Sequence, residues 1–126
     1  RYIKKNKERS IFIPSLGRFD YLHLIKYSAG LIGNSSSGII EAPALNIPSV
    51  NIGNRQDGRP QSTSVFQSDF FYNSIIEAIN SIKIYKAAKT KCKPKYNGKD
   101  TVNKIIKILS DIDLTNIKLK KFRDIS

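Results

Sequence analysis

Short apolar runs alternate along this chain with segments of helical periodicity. The runs have the length of buried strands and lie at residues 11–13, 31–32, 49–52 and 65–66. Helical spacing predicts helices that begin at Asp20, in the serine-rich turn 35–38, at Ser74, and at Asp100 or Thr101. Strands and helices in this alternation imply right-handed crossovers. We therefore predict an α/β fold with a Rossmann-like parallel sheet and helices on both faces.

Two helices near the C-terminus and one loop complete the pattern. The helix predicted over residues 74–82 has one apolar stripe that the sheet is expected to bury. The last helix is expected to bury a second face, formed by Val102, Ile105, Ile106 and Leu109. Residues 53–64 are polar and rich in Gly, Pro, Arg and Gln, which predicts a loop after the third strand.

The length and composition limit the class of protein. A chain of 126 residues without internal repeats or a linker predicts one domain. The single cysteine, Cys92, excludes a disulfide scaffold, and there is no apolar run near the roughly 20 residues that a membrane span requires. The chain starts at Arg1 and has no Met, so we expect part of a longer, cytoplasmic protein without a membrane partner.

The charge is strongly positive, with 22 Lys and Arg against 10 Asp and Glu and a net charge of +12. Such a charge leaves a basic nucleic-acid-binding module open as an alternative, because Lys and Arg neutralise phosphates. The basic residues are dispersed, however, and the densest cluster, at residues 118–123, alternates with apolar residues as a solvated face does. We therefore expect no nucleic-acid partner.

The turn at residues 33–38, Gly-Asn-Ser-Ser-Ser-Gly, is the first candidate site. It follows a predicted strand and opens a predicted helix, which is where open α/β sheets bind ligands. Free N–H groups of the first helical turn and the hydroxyls of Ser35, Ser36 and Ser37 suit an anion such as a phosphate. The alternative is that these serines only cap the helix.

Glu41 lies one turn further and is the second candidate. A capping box would need a hydroxyl at Gly38, so capping explains Glu41 poorly. An ionised carboxylate offers two acceptor oxygens to a vicinal diol such as that of a ribose. A favourable interaction with the helix dipole remains the structural alternative.

The loop at residues 54–59 contains Arg55 and Arg59 in a chain that otherwise uses Lys. Arginine makes bidentate contacts with phosphate, and this loop is expected to face the serine turn, although two solvated surface arginines are the alternative. His23, the only histidine, is expected to be structural, and Cys92 incidental. The spacing of ligand residues indicates no metal site.

Three segments of the sequence resemble a known family. They are Gly-Asn-Ser-Ser-Ser-Gly-Ile-Ile-Glu-Ala-Pro at residues 33–43, Pro-Ser-Val-Asn-Ile-Gly at 48–53 and Arg-Gln-Asp-Gly-Arg at 55–59. Together they closely resemble the corresponding segments of the hydrolysing UDP-N-acetylglucosamine 2-epimerases. The resemblance covers nearly the whole chain, including the closing segments 96–98 and 120–122. It implies the C-terminal half of a GT-B type two-domain fold, with residues 1–126 as a single UDP-binding domain. The N-terminal domain of such an enzyme, and its acid/base residues, would precede Arg1.

The resemblance also implies roles for individual residues. Ser35, Ser36 and Arg55 match positions that bind the diphosphate, and Glu41 matches the position that binds the ribose hydroxyls. Secondary candidates are Ser37, Gly38, Arg18 and Arg59, with the uracil against residues 16–19. No catalytic residue of the family falls within this chain, and His23 does not match the family's histidine.

The implied reaction converts UDP-N-acetylglucosamine, or a related UDP-acetamido sugar, and water to N-acetylmannosamine and UDP. UDP is eliminated to give a glycal, and water then adds with inversion at carbon 2. Ser37 in the turn and Arg55 followed by Gln56 in the loop favour the hydrolysing members of the family over the non-hydrolysing ones, which interconvert two UDP-sugars. The resemblance implies a UDP-sugar substrate, no cofactor and a homo-oligomer when complete. A GT-B glycosyltransferase is the alternative.

Overall fold

A three-stranded parallel sheet forms the centre of the computed structural model, which describes residues 1–96, 98–113 and 115. Its strands are β1 (Leu31–Gly33), β2 (Ser49–Ile52) and β3 (Val65–Ser68), in the order β1-β2-β3. Both pairs are parallel, and Ser49 stands opposite Leu31 on one side and Val65 on the other. The three later strand predictions are thereby confirmed, as is a loop without helix or strand over residues 53–64.

The helices of the described residues are α1 (Tyr2–Lys5), α2 (Gly17–Tyr27), α3 (Glu41–Ala44), α4 (Tyr72–Ala87) and α5 (Thr101–Asp111), with a 3-10 turn at Ser36–Gly38. The predicted helices after the third strand are confirmed as α4 and α5. The basic cluster at residues 118–123 and the closing segment 120–122 lie outside the described residues.

Helices cover both faces of the sheet because successive strand residues point to opposite faces. One apolar cluster joins α2 and α3 to the sheet and consists of Ile25, Ala42 and Ile47, packed against Tyr21, Leu31 and Leu45. The other joins α4 to the opposite face and consists of Val50, Ala78 and Ile82, packed against Ile52, Phe66 and Ile79. The α/β, Rossmann-like fold class is therefore confirmed.

The strand predicted at residues 11–13 is wrong. No described strand pairs with this segment, and Ile11 is 79% exposed. An apolar run forms a strand only where another strand accepts its hydrogen bonds, and the sheet of the described residues begins at β1. Phe12 and Ile13 are exposed as well.

Helix α2 begins at Gly17, whereas the sequence predicted Asp20 as its N-cap. Gly17 has a φ of +69°, so the chain turns into the helix there, and Leu16 takes the N-cap position. Asp20 is consequently in the first turn rather than at the cap. Its carboxylate still lies near the positive end of the helix dipole, where an acidic group is favourable.

Helix α5 is where it was predicted, but its apolar face is exposed within the described part of the chain. Val102, Ile105, Ile106 and Leu109 are all at least half exposed, so the expected burial is wrong. Asp100 takes the N-cap position with a φ of 64° and makes no side-chain cap bond. Its carboxylate accepts a hydrogen bond from the Asn103 amide instead, at 2.5 Å.

Across residues 1–96, 98–113 and 115, no helix has the length and apolar character needed to cross a bilayer.

Candidate functional site

The serine turn, residues 34–38, follows β1 directly at the carboxyl edge of the sheet. Ser35 caps the 3-10 turn, its hydroxyl oxygen accepting a hydrogen bond from the Ser37 N–H at 3.3 Å. The Gly38 N–H donates to the Ser35 carbonyl at 3.1 Å. The hydroxyl of buried Ser49 on β2 donates to the Gly38 carbonyl at 2.6 Å, so the far end of the turn is fixed to the sheet.

The helix predicted to begin in this turn is interrupted. The N–H groups of Ile39 and Ile40 both donate to the Ser36 carbonyl, and the separate helix α3 begins only at Glu41. Pro43 explains the break because it has no N–H to donate to the carbonyl of Ile39, four residues back. The single helix of the prediction is thus a 3-10 turn followed by one short α-helix.

Glu41 stands at the start of α3 with its side chain partly buried. One carboxylate oxygen, Oε2, is buried and has no hydrogen-bond partner among the described residues. A buried acceptor without a donor is unfavourable, so this oxygen is suited to a hydroxyl or N–H donor brought by a ligand.

An open cleft of about 540 Å³ lies in front of Glu41. Its walls come from the segment that leads into α2, from the first turns of α2 and from the serine turn. Ser37 and Glu41 line it on one side, and Leu16 and Arg18 on the other. The structure therefore brings together Glu41, Ser37, Arg18 and part of the segment 16–19, which the sequence analysis assigned to one ligand.

A smaller cavity of about 120 Å³ adjoins this cleft and shares Tyr21 with it. Ser35 and Gly38 line the smaller cavity. Tyr21 lines both cavities, and the serine turn contributes to both, through Ser37 in the cleft and through Ser35 and Gly38 in the smaller cavity.

The arginine loop, residues 53–59, leaves β2 at the same edge of the sheet. Gly53 has a φ of +74°, and a Cβ there would stand 2.3 Å from Cζ of Phe70, so this exit requires glycine. Gln56 is only 3% exposed, and its side-chain N–H donates to the Asn34 carbonyl at 2.8 Å. The expectation that this loop faces the serine turn is confirmed by that bond.

The two arginines of the loop are exposed, and neither lines the 540 Å³ cleft. Arg55 directly precedes the buried Gln56, and the Arg59 N–H donates to the Gln56 carbonyl at 3.3 Å. Arg55 is therefore one residue from the contact with the serine turn, whereas Arg59 lies beyond it.

The comparison with known families shows which family this chain belongs to. Residues 1–110 match the family described as UDP-N-acetylglucosamine 2-epimerase. The chain belongs to this family. Its serine turn, Glu41 and arginine loop all lie within the matched residues.

Curated relatives of this epimerase family match almost the whole chain. The chain is 38% identical to the polysialic acid biosynthesis protein P7 of Escherichia coli, over 90% of this chain and 30% of the relative. It is 36% identical to the hydrolysing GDP/UDP-N,N'-diacetylbacillosamine 2-epimerase of Campylobacter jejuni, over 98% of this chain and 33% of the relative. The UDP-N-acetylglucosamine 2-epimerase of Neisseria meningitidis is 30% identical, over 94% of this chain and 32% of the relative. The chain thus spans about a third of the length of these relatives.

Two residues that contribute to the candidate site, Ser49 and Gln56, were not predicted as contributors from the sequence. Both are buried polar residues that hold the backbone of the serine turn. The signal for Ser49 is a hydroxyl at an inward position of a buried strand. Gln56 gives no comparable signal, because its loop is polar throughout.

The remaining reactive side chains lie away from this site. His23 is exposed on α2, with Nδ1 2.9 Å from the Phe19 carbonyl, and it does not line the cleft. Burial raises the pKa of the Tyr85 hydroxyl, and the neighbouring Cys92 raises it further. Within the described ranges no three His, Cys, Asp or Glu side chains are grouped as metal ligands.

Proposed function

We propose that residues 1–126 form the UDP-binding C-terminal domain of a hydrolysing UDP-N-acetylglucosamine 2-epimerase. The substrate is UDP-N-acetylglucosamine or a related UDP-acetamido sugar, and the products are free N-acetylmannosamine, or its analogue, and UDP. An N-terminal domain completes the GT-B type cleft and supplies the acid/base residues. The complete enzyme is cytoplasmic, forms a homo-oligomer and needs no cofactor, and the isolated domain is inactive.

One observation carries this proposal: the hydrogen bond from Gln56 to Asn34 holds the arginine loop against the serine turn. Serine hydroxyls and backbone N–H groups at a strand end, next to an arginine, suit a diphosphate. Ser35, Ser36 and Arg55 are assigned to the diphosphate, with Ser37, Gly38 and Arg59 in secondary contact. The family match favours this epimerase over a GT-B glycosyltransferase or a nucleic-acid-binding module.

We assign the nucleoside of the substrate to the cleft beside the serine turn. Glu41 accepts hydrogen bonds from the ribose hydroxyls, since its buried Oε2 has no other partner among the described residues. The uracil lies against residues 16–19, beside Arg18.

The chemistry assigned to this domain is stabilisation of the leaving group. In the elimination, a base removes the proton at carbon 2 while the bond from carbon 1 to the diphosphate oxygen breaks, giving a glycal and UDP. Water then supplies a hydroxyl to carbon 1 and a proton to the opposite face of carbon 2. Fixed N–H donors, serine hydroxyls and Arg55 lower the barrier because negative charge grows on the departing diphosphate.

Glu41→Ala in the complete enzyme is expected to lower kcat/KM for the UDP-sugar about 5- to 150-fold, as loss of a charged hydrogen-bond acceptor does. The ribose contact makes a sharper prediction. UDP with a 2′-deoxyribose should bind less tightly than UDP to the unmodified enzyme, and almost equally tightly to Glu41→Ala. Calorimetric titration with the two nucleotides measures this difference.

Glu77→Ala is the matched control, because Glu77 is an exposed glutamate on α4 that lines neither part of the site. It should leave both affinities unchanged. A Glu41→Ala enzyme that still distinguishes the two nucleotides as the unmodified enzyme does would contradict the ribose assignment.

A further inference from the structure

Gln56 is an unusual residue for its loop. Its neighbours Arg55 and Asp57 are exposed, whereas Gln56 itself is only 3% exposed. Its side chain crosses to the serine turn and donates to the Asn34 carbonyl at 2.8 Å, 22 residues earlier in the chain. A carbonyl oxygen can only accept, so the amide must present its NH₂ group there.

The other end of this amide is unsatisfied. Oε1 of Gln56 is buried and has no hydrogen-bond partner among the described residues. Leaving a buried acceptor unpaired is unfavourable, and this cost offsets the gain from the bond to Asn34. The bond to Asn34 therefore adds little net stability to the free domain, and stability alone does not explain why a glutamine stands at this position.

The backbone around Gln56 forms a compact turn. The Asp57 N–H donates to the Asn54 carbonyl at 3.0 Å, and the Arg59 N–H donates to the Gln56 carbonyl at 3.3 Å. Arg55 lies inside this turn, next to Gln56, whose side chain bonds the loop to the serine turn. The position of Arg55 relative to Ser35 and Ser36 thus depends on the Gln56 amide.

We propose that Gln56 is a positioning residue that couples the arginine loop to the serine turn, so that Arg55 and the serines contact the diphosphate together. This inference rests on the proposed function. Without the bond to Asn34, the loop must be ordered at the moment of binding, and that ordering weakens affinity. With the bond to Asn34 intact, Oε1 of Gln56 has no partner among the described residues and can accept a hydrogen bond in the UDP-bound state.

A double-mutant cycle on UDP binding tests the coupling in the complete enzyme. Gln56→Leu removes the hydrogen bond and keeps an apolar side chain of similar size. It is expected to raise the Kd for UDP about 3- to 30-fold, and to change it less than about 2-fold when Arg55→Ala is already present. An equal fold-change in both backgrounds would overturn the proposal.

Gln56→Glu is a second, isosteric variant. It tests the hydrogen bond through the pH dependence of UDP affinity, which a purely structural role of Gln56 would not change. An ionised carboxylate cannot donate to the Asn34 carbonyl, whereas a protonated one can. Burial raises the pKa of the introduced carboxyl group. The charged side chains of the loop are those of Arg55, Asp57 and Arg59, while residues 34–38 have no ionisable side chain.

The expected result is a recovery of affinity at low pH. The ratio of the Kd of Gln56→Glu to that of the unmodified enzyme should fall towards 1 between about pH 8 and about pH 5.5. Protonation of UDP itself cancels in this ratio. A ratio that stays constant over the range contradicts the donor role of Gln56, and this variant carries the test if Gln56→Leu does not fold.

Gln61→Leu is the matched control. Gln61 belongs to the same polar segment after β2, but its side chain accepts a hydrogen bond from Gln67 at 2.8 Å and does not reach the serine turn. UDP affinity should be unchanged in this variant. If the unmodified enzyme binds no UDP, the proposed function fails. If it binds UDP and responds to Arg55→Ala, an additive effect of Gln56→Leu refutes the coupling alone.

Discussion

Ile25→Ala is expected to lower the free energy of unfolding by about 2–5 kcal/mol, the largest effect on stability that we predict. Ile25 is 2% exposed on α2 and packs in one cluster with Ala42 of α3 and with Ile47. Removing most of its side chain takes apolar surface out of this cluster and leaves a cavity. The cluster is also what holds α2, and with it one wall of the cleft, against the sheet.

Chemical denaturation of the complete enzyme measures this change, and Leu24→Ala is the matched control. Leu24 is the preceding residue on the same helix, is likewise aliphatic, and is 57% exposed. Its replacement should change stability by no more than about 0.5 kcal/mol. Equal losses for the two variants would show that α2 does not pack on the sheet through Ile25.

Arg55→Ala is expected to lower activity as strongly as Glu41→Ala, and these are the largest effects on activity that we predict in this domain. We expect kcat/KM for the UDP-sugar to fall about 5- to 150-fold, equivalent to about 1–3 kcal/mol, because a charged contact to the diphosphate is lost. Charge on that diphosphate grows as it leaves, so kcat should fall along with the affinity.

Two further variants make this prediction specific. Arg55→Lys keeps the charge but loses the planar pair of donors, so its kcat/KM should be intermediate. Arg9→Ala is the control, since the Arg9 side chain binds Asn6 Oδ1 and lines no part of the cleft. Unchanged kinetics in Arg55→Ala would remove Arg55 from the site.

Much of the sheet was predictable from sequence for a physical reason. Strand β2 is buried between its two neighbours, and Leu31 of β1 packs against the cluster of α2 and α3, so apolar residues mark both strands between polar turns. The position of the serine turn was predictable as well, because small residues and a capping serine mark the point where a strand ends and a helical turn begins. These features depend on a few neighbouring residues.

The wrong predictions concern what covers an apolar segment, not whether the segment has the periodicity of a strand or a helix. Residues 11–13 and the apolar face of α5 have the patterns of a buried strand and a buried helix, yet both are exposed among the described residues. A pattern indicates which face can be buried, and it does not say what covers it. Pro43 was predicted to end or kink the helix of the serine turn, and the break lies before it, because the Ile39 carbonyl receives no hydrogen bond from Pro43.

The hydrogen bond between Gln56 and Asn34, which joins the arginine loop to the serine turn, is the feature of the candidate site that the sequence indicated least. Gln56 and Asn34 are 22 residues apart, and glutamine in a polar loop is ordinarily solvated. Only the packing of two loops at one sheet edge buries the Gln56 amide and directs it to a backbone carbonyl. Ser49, bound to the Gly38 carbonyl, is a similar case.

The most direct test of the proposed function is the identity of the products released by the complete enzyme. UDP-N-acetylglucosamine and a UDP-2,4-diacetamido sugar are each incubated with the enzyme, and phosphorus and proton NMR follow the nucleotide and the sugar. We predict that one of them yields free UDP and a free sugar inverted at carbon 2. An inverted sugar that is still attached to UDP, or no turnover of either substrate, would contradict the hydrolysing assignment.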